Sequence, residues 1–295
     1  MANRFKGHVL LWITVILWGV SFVATKIVVE YIPPVSAALI RFLIASIFLI
    51  IFVKKRIKYS KKEFLFLSIA AFFGITAYFL FENTALIHTT ASNGALIIST
   101  TPIVFLIFSD IVKRKFSNKI RYFGTLIAFI GVAVLVFNGR FILDLNPIGD
   151  LLMFGSVISW VLYTVYLEKL HHYDNLPVTK DLNILGMIFF VPFSLIEIVR
   201  STSEIDFSIF LNFNAVMGLL YLGIFCSAVG YIFWNSAIRL VGAKTTMNGI
   251  YFIPVVTVIS EAILLKTIPN LFTIIGAVLV ISGTYVSEMK GKKAI

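Results

Sequence analysis

Two carboxylic acids lie in stretches where charge is expensive. Glu82 falls inside an apolar run near 64–87, and Glu261 inside another near 243–265. An unpaired carboxylate at the centre of a hydrocarbon layer costs about 2.5–3.5 kcal/mol on insertion scales. An acid kept at that cost suits a proton carrier or a cation-binding group; a structural salt bridge near a helix end is the alternative. Trp18 and Trp160 are candidates of another kind. An indole packed only against lipid leaves its N–H unpaired, whereas one that lines a cavity offers a ring for stacking or for a cation. Tyr78, Tyr163, Trp234 and Tyr251 belong to the same argument, and Asn83 and Asn235 add amides that can bond between helices. Pro102 and Pro254 each remove a backbone N–H and free a carbonyl one turn back, at Ile98 and Ile250. That is the chemistry of a hinge, or of a carbonyl aimed at a ligand. Arg41, within an apolar run, can pair with a carboxylate or hold a helix carbonyl.

Other chemistries find no residues. His171 and His172 are adjacent, share no helix face and have no cysteine partner, so no metal site is expected. The chain has no P-loop, no H-E-x-x-H and no G-x-S-x-G, so neither ATP hydrolysis nor a hydrolase is expected, and no cofactor. The single cysteine, Cys226, cannot form an intramolecular disulfide.

The elements that must hold these residues follow from composition. Of 295 residues, 59% are hydrophobic and only 13% charged, against about 25% charged in an ordinary soluble domain; mean hydropathy is +0.99. A bilayer absorbs that much apolar sequence and a soluble core does not. Runs long enough to cross about 30 Å of hydrocarbon lie near 8–29, 34–53, 64–87, 91–111, 120–137, 147–168, 181–200, 213–237, 243–265 and 270–287. Helices are expected, because in lipid the backbone must satisfy itself. The first run follows Arg4 and Lys6 like a secretory signal, but it is longer than a signal core and no A-x-A site follows.

The net charge of +11 does not point to nucleic acid, because the basic residues sit in short clusters between the runs. Lys54, Lys55, Arg56, Lys58, Lys61 and Lys62 follow the second run; Lys113, Arg114, Lys115, Lys119 and Arg121 follow the fourth. The even-numbered loops keep this excess, so they and both termini are expected in the cytoplasm of a multi-pass cell-membrane protein.

The chain also writes one stretch twice. Phe81–Pro102 reads FENTALIHTTASNGALIISTTP, and about 152 residues later FWNSAIRLVGAKTTMNGIYFIP ends at Pro254. Asn83 meets Asn235, Gly124 meets Gly276 and Gly131 meets Gly283. The first helices fit at an offset of about 142, where Trp18 meets Trp160. An odd number of runs separates the copies, so the second must enter the membrane inverted. The glycine patterns in the fifth and tenth runs suit close helix packing, or a homodimer contact.

Trp18-Gly19-Val20-Ser21-Phe22, Arg41-Phe42-Leu43-Ile44-Ala45, Thr84-Ala85-Leu86, Thr90-Ala91, Pro102, Ala237 and Pro254 together resemble the EamA-type transporters of the drug/metabolite transporter superfamily. The resemblance implies export or exchange of small metabolites such as amino acids or amines. It also implies a central cavity lined by helices one, three, four, six, eight and nine, with five and ten outside. Where that family often carries an acid about thirteen residues after each repeat proline, this chain has Lys115 and Thr267. The expectation is an all-α polytopic membrane protein with ten transmembrane helices in two inverted five-helix repeats, 1–140 and 141–295. It would work by alternating access around a midplane cavity. Substrate contacts are expected from Trp18, Tyr78, Glu82, Asn83, Trp160, Tyr163, Trp234, Asn235 and Tyr251. Coupling, to protons among other ions, or gating is expected from Glu82, Glu261, Pro102 and Pro254. A non-transporting receptor or scaffold is the rival reading.

Overall fold

A computed structural model describes residues 2–29, 31–88, 91–137, 146–200, 212–265 and 271–289. The regular elements among the described residues are all helical, with no strand among them. In chain order the helices are α1 (Ala2–Val29), α2 (Pro34–Phe52), α3 (Lys61–Ala71, then Phe72–Ala77 and Tyr78–His88), α4 (Ala91–Ile98 and Thr101–Lys113) and α5 (Lys119–Phe137). They continue with α6 (Pro147–Glu168), α7 (Asn175–Arg200), α8 (Phe213–Leu220, Tyr221–Val229 and Gly230–Val241), α9 (Ala243–Asn248, Gly249–Phe252 and Ile253–Leu265) and α10 (Leu271–Glu288). Eight helices among the described residues are long and apolar enough to cross a membrane. Their outer faces carry Val199, Leu151 and Phe213, each more than 70% exposed, as a lipid-facing surface allows and a water-facing one rarely does.

Local chemistry sets the helix ends. Pro34 starts α2, where its missing N–H costs nothing. Ser60 and Glu63 form a reciprocal capping box at the start of α3. Asn146 and Asn212 cap α6 and α8 through their side-chain oxygens. Gly242, at φ 88°, makes the turn between α8 and α9 that other residues adopt at a cost. α7 begins at Asn175, earlier than the apolar run near 181–200 suggests. The charge that hid this turn is satisfied: Lys180 is buried and donates to the Val53 and Lys55 carbonyls beyond the end of α2, at 3.1 and 2.7 Å.

The two halves share their irregularities. The π-helical stretch Phe72–Ala77 of α3 and the stretch Tyr221–Val229 of α8 overlap at the offset of about 152 residues. So do the break before Thr101 in α4 and the 3₁₀ turn Gly249–Phe252 in α9, each just before the repeat proline. α5 and α10 pack together along their length and run antiparallel. A Cβ on Gly124 would fall 2.2 Å from the Ser287 nitrogen, and one on Gly276 2.6 Å from the Leu135 nitrogen. Gly283 meets Ala128 and Gly131 meets Val280 in the same crossed fashion. Each contact becomes the other when the two halves are exchanged. These glycines therefore serve close packing within one chain, not a dimer contact.

Candidate functional site

Aromatic side chains converge where α1, α3, α6 and α8 meet. Trp18 of α1 and Trp160 of α6 stand edge to face with ring centroids 5.4 Å apart. Trp234 of α8 lies 5.0 Å from Trp18 and 5.8 Å from Trp160. Tyr78 and Tyr163 flank Trp160 at 5.2 and 5.0 Å. Such pairs contribute about 0.5–1.5 kcal/mol each beyond their area burial. The backbone makes room for them: a Cβ on Gly74, within the π stretch of α3, would lie 2.3 Å from the Tyr163 ring, and one on Gly230 2.8 Å from Trp18 Nε1. π-helical turns occur often at functional sites, and here both fall beside this cluster.

The polar groups of the cluster are unevenly satisfied. Trp18 Nε1 donates to the Cys226 carbonyl at 3.0 Å, and Tyr231 donates to the Gly74 carbonyl at 2.8 Å. Both acceptors belong to π stretches. Tyr163 donates to Asn235 Oδ1, and Asn235 Nδ2 donates to Thr179 at 2.9 Å. The indole N–H groups of Trp160 and Trp234 are buried without a partner among the described residues. Tyr78 donates to Glu82 Oε1 at 3.2 Å. Glu82, one turn further along α3, is 9% exposed. Arg41 of α2 lies beside this group, with its guanidinium 4.8 Å from the centre of the Phe79 ring.

Trp18, Tyr78, Glu82, Trp160, Tyr163, Trp234 and Asn235 are thus brought together. Two other residues expected with them are not. Asn83 donates to the Pro34 carbonyl at 2.8 Å and ties α3 to the start of α2. Tyr251 is buried among Ala128, Val132 and Val280, against α5 and α10. Glu261 lies in α9, but its side chain is outside the described residues. The carbonyls that Pro102 and Pro254 leave free each meet a local donor. Ile98 accepts from the Thr101 hydroxyl, and Ile250 from the Ile253 N–H. Trp160, Tyr163 and Trp234 are buried at the centre, whereas Trp18 and Tyr78 keep partial exposure. A crevice of about 270 Å³ opens between α1, α9 and α10, lined mostly by apolar groups such as Trp12 and Phe252.

Tyr231, Phe79 and Ser227 are central, and sequence reasoning did not single them out. Tyr231 touches Trp18, Trp160 and Tyr163. One signal was present: the offset of about 152 pairs Tyr231 with Phe79, three residues before Trp234 and Glu82 respectively.

The helix ends that carry the basic loops are tied together by polar contacts. Asp110, fully buried at the end of α4, accepts from Lys244 of α9 and from Tyr122 of α5 at 2.6 Å. Glu288 of α10 accepts from Thr245 and Asn248 of α9 at 2.8 and 2.7 Å. Tyr59 donates to Asp181 at 2.9 Å; burial and that carboxylate push its hydroxyl well above the usual range. Tyr173 is raised by its hydrogen bond to Glu63, and Asp174 is lowered by its bond to Lys55. His172 bonds Glu63 at 2.9 Å, and no group that could hold a metal ion occurs among the described residues.

The EamA-like transporter family matches residues 5–137 and again 147–289. Two proteins of Archaeoglobus fulgidus described as uncharacterized transporters are 33% and 30% identical, each aligned over 97% of this chain and 98–99% of their own length. A protein of Salmonella typhimurium named a probable amino-acid metabolite efflux pump is 25% identical over 96% of this chain and 94% of its own. A protein of known crystal structure shares the fold with a TM-score of 0.79 at 17% identity, over 97% of both chains. The double match accounts for the repeat, and the apolar helices make this a multi-pass membrane protein: the chain belongs to the EamA-like transporter family.

Proposed function

We propose that this chain carries small metabolites across the plasma membrane by alternating access, as an exporter or exchanger without ATP. In this reading ten helices span the bilayer as two inverted five-helix repeats, 1–140 and 141–295, with both termini in the cytoplasm. The observation that carries it is the meeting of Trp18 and Trp160, equivalent residues of the two halves, edge to face at 5.4 Å. Inverted-repeat transporters bind substrate where such equivalent elements meet. The crossed α5–α10 contacts support the inversion.

The tied basic end fits a conformation sealed toward the cytoplasm. Lys244–Asp110 and the Glu288 contacts hold α4, α9 and α10 together there. Opening that side separates them, with Pro102 and Pro254 at the helix breaks as hinges. Glu82, held by Tyr78, takes up a proton or meets a cationic part of the substrate. The name of the Salmonella relative supports amino-acid metabolites as the substrate class. Proteoliposomes test the reading. Saturable counterflow of an amino acid, reduced at least about tenfold by Trp18→Ala and by Trp160→Ala, is expected. Absence of counterflow for any amino acid or amine would favour a receptor or scaffold.

A further inference from the structure

Arg41 carries a positive charge inside the helical stack at 7% exposure. Its Nε donates to Ser227 of α8, and its guanidinium lies over Phe79 at 4.8 Å and near Phe42 at 5.6 Å. No carboxylate among the described residues forms an ion pair with it. A buried cation with no counter-charge in contact is costly. Phe79 and Phe42 flank the guanidinium, and Ser227 is its one hydrogen-bond acceptor among the described residues.

The neighbouring unsatisfied groups point the same way. Trp160 and Trp234, 5% and 0% exposed, each bury an indole N–H with no acceptor among the described residues. An indole N–H can only donate. The Glu82 carboxylate takes the Tyr78 hydroxyl and answers neither indole, so a second oxyanion, brought by a ligand, would supply the acceptor these donors lack among the described residues. We infer that Arg41 is the specificity residue that receives a substrate carboxylate, and that the transported molecule is a carboxylate with an apolar or aromatic body. This rests on the transport reading above. A planar guanidinium fits a carboxylate through two parallel N–H···O bonds, which Lys cannot reproduce. Glu82, on the same side of the ring cluster through Tyr78, is placed to meet an ammonium group. A simple amine would leave the Arg41 charge unanswered.

The test uses the purified full chain and three probes of one size: L-phenylalanine, 3-phenylpropionate and phenethylamine. Binding is read from indole fluorescence and from thermal stabilisation. L-Phenylalanine is expected to bind at least about tenfold more tightly than phenethylamine. Arg41→Gln should weaken L-phenylalanine and 3-phenylpropionate by at least about tenfold and leave phenethylamine unchanged. Arg41→Lys, which keeps the charge and loses the fork, should fall between. Equal losses for all three probes would mean a merely structural role and overturn the inference. So would a wild type that binds phenethylamine as tightly as L-phenylalanine, or binds neither carboxylate. If Arg41→Gln does not fold, the wild-type comparison and Arg41→Lys still decide. Radiolabelled counterflow separates the two readings. Carboxylate-dependent binding without counterflow keeps the Arg41 assignment and sinks transport. Counterflow of phenethylamine that ignores Arg41→Lys keeps transport and sinks the assignment.

Discussion

The two halves of the molecule share a scaffold and differ in chemistry. Both carry a π stretch, both break before a proline, and both send an equivalent tryptophan, Trp18 or Trp160, to the centre. At the offset of about 152 residues, however, Glu82 is answered by Trp234 and Phe79 by Tyr231. The buried acid comes from the first half, as does the buried guanidinium of Arg41; the second half supplies indole and phenol. Duplication fixes where side chains stand, and later divergence decides what they offer. A site between the halves can therefore be symmetric in shape and polar in one direction.

The strongest way to break this comparison is at the shared scaffold. Gly124→Leu and Gly276→Leu should each abolish the folded protein, because in both places the new side chain meets backbone closer than 3 Å. The milder Gly124→Ala and Gly276→Ala should each cost about 1–3 kcal/mol, seen as matched losses in melting temperature. Unequal losses would mean that the crossed contacts are not energetically equivalent.

The next test concerns the tied end. Lys244→Met leaves fully buried Asp110 without its cation and should destabilise the protein by about 1–3 kcal/mol. It should also raise labelling of a cysteine introduced at Thr125 from the cytoplasmic side. Unchanged labelling would remove this contact from the gate.

Glu82→Gln sharpens the chemical difference between the halves. It keeps the shape and removes the charge, so melting should shift by less than about 1.5 kcal/mol while the pH dependence of counterflow disappears. Trp234→Phe, at the equivalent position, should leave that pH dependence intact.

The smallest effect lies in the loop. Lys55 holds Asp174 below its ordinary value of 3.8, so this pair contributes above that pH and is lost as pH falls through the depressed value. Wild type and Asp174→Asn should differ slightly and constantly in melting between pH 7 and pH 5, and converge only in stronger acid.

The spans were readable because apolar runs bounded by basic clusters leave few alternatives. The repeat was readable because Asn, Pro and paired Gly are rare in apolar sequence. The convergence of Trp18 and Trp160 followed from the repeat. What stayed hidden lacks a compositional mark. A π turn is a slip of the hydrogen-bond register, and nothing in Phe72–Ala77 announces it. The bond from Arg41 to Ser227 joins residues far apart in sequence, with no pattern linking them. Tyr251 looks like its aromatic neighbours in sequence, yet its helix turns it toward α5 and α10. Lys180 made the start of α7 look like loop, because a charge at a helix start is indistinguishable from a loop charge until its acceptors are known.

The paired π stretches also say something about ancestry. A wide turn holds one residue more than the α-helix around it, so it records a single inserted codon. That both copies carry it in register, with no gap in the alignment that follows, is simplest if the insertion came first and the gene doubled afterwards. The single-repeat ancestor would then already have had the kink, and with it a place for two such subunits, facing opposite ways, to meet around a tryptophan.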